Sequence, residues 1–151
     1  RHLCTSSKDR TCLLWNVDLG VPVVRWSGHA DSVGAVAASR KPGPWNSSSS
    51  SAAGGAAAFV VSGAADRTLQ RWDVPCRPLA ALEGAARDSR EAAAETARRS
   101  VRAHEQDINC VAVSPNDAVV ASASQDRTIK LWKAADLELT GVLKGHKRGV
   151  W

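Results

Sequence analysis

The 151-residue chain contains no methionine, no tyrosine and a single phenylalanine. With no Met and with Arg1 at the start, we expect a piece of a longer protein, so a missing leader excludes nothing about targeting. Long apolar runs are missing too. The longest falls far short of the roughly 18 residues a membrane helix needs, which excludes a helical span within these residues. Four cysteines are present, Cys4, Cys12, Cys76 and Cys110, and no two have C-x-x-C spacing. That removes the common zinc and redox spacings. Cys4, Cys12 and Cys110 lie in apolar runs and read as buried free thiols of a reducing compartment. There is no Gly-rich phosphate loop, no H-E-x-x-H and no nucleophile elbow. No catalytic, metal-binding or cofactor-binding residue is therefore expected.

What is present is ordinary globular material, 44% hydrophobic and 23% charged. The net charge of +5 is local. Its excess lies in residues 84–103, rich in Arg, and in residues 144–148, which hold Lys144, Lys147 and Arg148. A patch is implied rather than a generally basic protein.

Three stretches are alike: Cys4–Trp15, Val61–Trp72 and Ala121–Trp132. Each contains Asp-Arg-Thr, with a Trp six residues after the Asp (Asp9 and Trp15, Asp66 and Trp72, Asp126 and Trp132). Each has a hydroxyl residue four positions before the Asp: Thr5, Ser62, Ser122. A second element precedes the later copies, His29 with Val33 and His104 with Ile108, and recurs as His146 with Val150. The pattern resembles the WD repeat, whose copies build four-stranded blades of an all-β propeller. The Asp-to-Asp intervals exceed the roughly 40–45 residues of that repeat by about 15 each. Residues 41–58, with Lys-Pro-Gly-Pro-Trp-Asn, five Ser and an Ala/Gly run, hold one excess and pack no core. Residues 84–102 hold the other, and their Ala, Arg and Glu content predicts a short helix capped by Asp88 or Ser89.

Alternation and β-branched runs place strands at 2–6, 12–17 and 21–26 in a partial blade (1–27). A second blade (28–83, with its insertion near 41–58) takes 33–39, 58–63, 69–74 and 79–83. The basic segment 84–102 then joins it to a third blade (103–144) with strands at 108–114, 118–123, 129–134 and 137–143. Residues 145–151 start another. Asn116-Asp117 marks a tight turn between the first two strands of the third blade. Two complete blades and two partial ones do not close a ring, so exposed sheet edges and poor folding in isolation are expected.

His29, Ser62 and Asp66 invite a Ser-His-Asp catalytic reading. The set recurs as His104, Ser122, Asp126 and Trp132, and in part as Thr5, Asp9 and Trp15, whereas a triad would occur once. The resemblance implies instead a buried relay in which imidazole links Asp to Ser and the Trp indole donates to the Ser hydroxyl. Arg10, Arg67 and Arg127 follow each relay Asp. By the resemblance, their turns share a face with the loops between blades, so Arg98, Arg99, Arg102, Lys144, Lys147 and Arg148 are expected to converge with them. That face is either solvated or a contact for phosphate or an acidic partner. No aromatic residue is interleaved with the arginines, so any RNA contact is expected to be to the backbone. Trp45 and Ser47–Ser51 are placed in the opposite-face loop.

Longer stretches carry a narrower likeness: Asp31–Arg40, His104–Asp117, Ser124–Trp132 and Gly145–Trp151. They resemble the transducin-beta-like WD-repeat subunits of the small-subunit processome, over most of the chain except about 42–58 and 84–99. Membership implies a non-catalytic scaffold of the nucleolus, acting in pre-rRNA processing. Its partners would be other WD-repeat subunits, with U-three small nucleolar RNA or pre-rRNA met through backbone contacts. A membrane, a small-molecule substrate and a cofactor are not implied. The competing readings are a ubiquitin-ligase substrate receptor, a signalling adaptor, or a propeller joined to an enzyme elsewhere. Only Trp72-Asp73 keeps the Trp-Asp dipeptide, and Arg71 stands where Leu14 and Leu131 stand in the other copies. A charge there must snorkel or find a partner.

Overall fold

The computed structural model describes residues 2–40, 58–74 and 92–151. Among the described residues, twelve strands form three sheets. The first contains β1 (His2–Ser6), β2 (Thr11–Asn16) and β3 (Val21–Ser27), paired antiparallel in sequence order. The second contains β4 (Val33–Ala38), β5 (Phe59–Ala64), β6 (Thr68–Asp73) and β8 (Arg99–Arg102), also antiparallel. The third contains β9 (Ile108–Val113), β10 (Val119–Ser124), β11 (Thr128–Lys133) and β12 (Leu139–Lys144). The three-residue β7 (Ala93–Glu95) runs parallel to β3 on the outer edge of the first sheet. All-β sheets of four strands, stacked face on face, are the blades of a propeller segment.

Strand alternation sends successive side chains to opposite faces, and the middle sheet is packed on both. Val60 and Trp72 join Leu14, Val24 and Trp26 of the first sheet in one core. Phe59, Val61 and Leu69 join Ile108, Val111 and Trp132 in another. All six residues of β5 are buried as a result. Trp26 and Trp72 meet across the first interface with ring centroids 6.4 Å apart.

Each blade turns between its second and third strands on Asp-Arg-Thr. The Asp carboxylate accepts the Thr amide at 2.9–3.0 Å and the Thr hydroxyl at 2.6 Å in all three copies. The Arg between them takes positive φ: 71° at Arg10, 68° at Arg67 and 71° at Arg127. The turn at Asn116-Asp117 forms as its residues indicate. Asn116 Oδ1 accepts the Ala118 amide, and Asp117 sits at φ 57°.

Three expectations are corrected. Alternation places the outer strand of the middle sheet at 79–83, which lies outside the described residues; the strand that fills the position is Arg99–Arg102, opposite Thr68–Arg71. The composition of the segment 84–102 predicts a short helix. Its Asp88 and Ser89 lie outside the described residues, but Ala93–Glu95 and Arg99–Arg102 are strands. The helix preference of Ala and Arg amounts to tenths of a kcal/mol per residue. Ladder bonds to β3 and β6, with Val101 packed on the core, outweigh it. Cys110 is also exposed rather than buried. Trp45, Ser47–Ser51 and Cys76 lie outside the described residues.

Candidate functional site: two buried relays beneath an arginine-bearing face

In the middle blade, the loop after β3 delivers His29 over the turn at Asp66. Its Nδ1 lies 3.0 Å from Asp66 Oδ2 and its Nε2 2.7 Å from Ser62 Oγ. Trp72 Nε1 donates to the same Ser62 Oγ at 2.8 Å. In the third blade, His104 Nδ1 lies 2.8 Å from Asp126 Oδ2, His104 Nε2 lies 2.7 Å from Ser122 Oγ, and Trp132 donates to Ser122 at 2.9 Å. Only one assignment satisfies every atom: His Nδ1–H donates to Asp, Ser Oγ–H donates to His Nε2, and Trp N–H donates to Ser Oγ. The first blade has the part-set, with Trp15 donating to Thr5 at 2.9 Å and Asp9 binding Thr11 without a histidine.

The electrostatics agree with a neutral imidazole over an ionised carboxylate. Burial pushes His29 and His104 below the ordinary histidine value, although their Asp partners pull the other way. For Asp66 and Asp126 burial acts to raise the pKa. Hydrogen bonds from the following Thr, from His and from the Ala30 or Glu105 amide outweigh it and hold both below the usual carboxylate range.

Access argues against chemistry here. Ser62 and Ser122 are fully buried at 0% exposure. A shallow depression between β4 and β9, lined by Ser32, Gly34, Asp107, Asn109 and Trp151 among others, touches none of the relay residues. Burial raises the Cys4 thiol to about 11 and the Cys12 thiol to about 12, far from a thiolate at neutral pH. Among the described residues no three His, Cys, Asp or Glu side chains could share a metal ion.

The turn end of the sheets gathers part of the basic set. Arg10, Arg67 and Arg127 are exposed there. Loops following the outer strands cross the same end: Val33 N bonds Ser7 O, Ala103 N bonds Arg67 O, and Val150 N bonds Ser124 O. Arg102 lies opposite Thr68, and Lys144 lies opposite Thr128, so both reach this end, followed by Lys147 and Arg148. Arg98 and Arg99 do not. Arg99 pairs with Arg71, about 10 Å down the strand at 3.3 Å per residue. Arg98 is at the far end, where its Nη1 lies 2.7 Å from Asp73 Oδ2. Carboxylates share the turn end: Asp9, Asp31, Glu105 and Asp107 are exposed on it. Arg71, the charge in a core position, is met by Asp73 at 2.8 Å, and its guanidinium carbon lies 4.9 Å from the Phe59 ring centre.

The sequence residues that mattered most were visible as a pattern. The positive φ of the three arginines was not, because Arg carries no signal for it, unlike Gly. The exposed Trp151 beside Asn109 was also missed. It sits at the inner margin of the turn end.

Comparison with known proteins agrees with this geometry. The model of the WD domain, G-beta repeat, matches residues 20–73 and 96–133. Transducin beta-like protein 3 of Mus musculus is 36% identical over 148 residues, 96% of this chain and 16% of the relative. U3 small nucleolar RNA-associated protein 13 of Saccharomyces cerevisiae is 32% identical over 149 residues, 99% of this chain and 16% of the relative. The guanine nucleotide-binding protein subunit beta of Arabidopsis thaliana is 30% identical over 136 residues, 87% of this chain and 28% of the relative. The chain thus spans a small part of the length of these relatives. It carries the repeated Asp-Arg-Thr turn, the hydroxyl and Trp partners, and the blade topology, and it belongs to the WD domain, G-beta repeat family.

Proposed function

We propose that this chain is part of a non-catalytic WD-repeat scaffold of the small-subunit processome, acting in pre-rRNA processing in the nucleolus. The observation that carries the reading is the likeness, over nearly the whole chain, to transducin beta-like protein 3 and to a protein named for association with U3 small nucleolar RNA. The relays serve the fold in this reading. Each ties a loop to a blade through a buried, fully partnered hydrogen-bond chain, and neither offers a reactive atom to a substrate. Partners are other WD-repeat subunits of the same assembly. Depleting the protein from cells tests the role: unprocessed small-subunit pre-rRNA accumulates while large-subunit rRNA levels hold. Normal small-subunit processing after depletion contradicts it.

A second reading, a signalling adaptor, is favoured by the likeness to a guanine nucleotide-binding protein subunit beta. That likeness covers less of the chain at lower identity, and it leaves pre-rRNA processing unaffected by depletion.

A further inference from the structure

We infer that Arg10, Arg67 and Arg127 are kept for their side chains, as a row of phosphate contacts that holds a single-stranded RNA backbone across the turn end of three successive blades. The choice of RNA as the polyanion rests on the processome reading; the row itself rests on geometry.

All three residues hold φ near 70°, a region Gly enters freely and side-chain-bearing residues rarely adopt. The turn needs nothing from the arginine side chain. It is built by Asp and Thr side chains and by the arginine amide, which donates to the carbonyl three residues back at 3.1–3.3 Å. A glycine would serve the backbone better at each site, yet each site has Arg. Local strain that recurs at equivalent exposed positions points to a use for the side chain.

The side chains are also unoccupied. Arg10, Arg67, Arg127, Lys144, Lys147 and Arg148 form no ion pair among the described residues. By contrast, Arg98 and Arg71 share Asp73, and Arg102 faces Glu105 at 3.6 Å. Lys144 lies opposite Thr128, and the loop behind it returns to Ser124, so Lys144, Lys147 and Arg148 surround the Arg127 turn. A protein-docking surface centres on buried aromatic or apolar anchors. Here the contacts are separate cations, one turn per blade. The exposed carboxylates Asp9, Asp31, Glu105 and Asp107 interrupt the field, so the contact is to a short stretch of backbone, weak, salt-sensitive and indifferent to sequence.

The test uses the purified full-length protein, a labelled oligouridine and anisotropy over a salt series. Replacing Arg10→Gly, Arg67→Gly and Arg127→Gly together weakens binding at least about tenfold at low salt, and it lowers the slope of log affinity against log salt by about 2, as three phosphates on a single strand require. The same variant melts at the parent temperature or above. Replacing Lys144→Ser, Lys147→Ser and Arg148→Ser in the exposed loop gives a second reading of the same site, with a fall of similar size. Unchanged affinity and slope in both variants overturn the inference. If the glycine variant binds oligouridine normally but loses protein partners from a cellular pull-down, the face belongs to a protein and the RNA assignment is overturned. If it loses neither, the processome reading stands and this one falls.

Discussion

Asp126 accepts four hydrogen bonds, from the Thr128 amide and hydroxyl, His104 and the Glu105 amide. Asp9, its counterpart in the first blade, is exposed and has no histidine to hold. Asp126→Ala therefore strands a buried His104 and costs about 1–3 kcal/mol, whereas Asp9→Ala removes only turn bonds and costs less. Urea unfolding of the full-length variants measures the difference, and equal losses would contradict the relay account. The same relays set a pH dependence. The folded histidines sit below their unfolded value of 6.5, so the stability they confer is complete above that pH. It declines as pH falls from about 6.5 toward their folded pKa. The carboxylates add a second loss only below the ordinary carboxylate range, when pH falls through their own lowered values. Melting temperature from pH 8 to pH 5 should fall, and the fall should shrink in a variant carrying His104→Asn. The relay residues were legible in the sequence because hydroxyl, Asp and Trp recur at fixed spacing. The backbone conformation at Arg67 was not, since nothing in an arginine announces φ 68°.

At the scale of the element, the lesson comes from residues 93–102. Their composition favours helix, but composition is a weak prior against ladder pairing with β3 and β6. A strand of the middle blade therefore comes about 20 residues later than alternation alone placed it, as the register opposite Thr68–Arg71 shows. The short β7 adds a further consequence: an insertion in one blade caps the outer edge of its neighbour. Ala94→Pro should break that pairing, because proline cannot donate to a ladder and its ring disturbs the strand. Hydrogen exchange should rise at the β3 amides that face β7, with the rest of the first sheet unchanged. Protection unaltered along β3 would mean that β7 contributes nothing to the edge. Sheet packing gives a sharper case. A Cβ on Gly63 would overlap Ile108 Cγ2 and lie 2.9 Å from Val111 Cγ2. Gly63→Ala should thus cost about 1–3 kcal/mol through overpacking of the interface between the second and third sheets, read as a lower denaturant midpoint. The equivalent position of the third blade is Ala123. Composition does not mark Gly63 as special, because the cause is a contact between blades.

Within residues 1–151, the middle sheet is buried on both faces while the flanking sheets leave apolar groups in water. Leu3 is 53% exposed, and Leu139, Val142 and Leu143 are 40–51% exposed. Residues 1–151 made alone should self-associate, and a monomeric, cooperative melt of that piece would contradict this. The architecture was readable from three repeated turns. What the protein assembles with was not, because fold does not carry function. That question turns on one measurement. The tagged full-length protein is purified from cells under native conditions, its protein partners are identified by mass spectrometry, and its RNA is sequenced. The scaffold account predicts other WD-repeat proteins together with U3 small nucleolar RNA and unprocessed small-subunit pre-rRNA. Recovery of signalling or ubiquitin-ligase partners without pre-rRNA would contradict it.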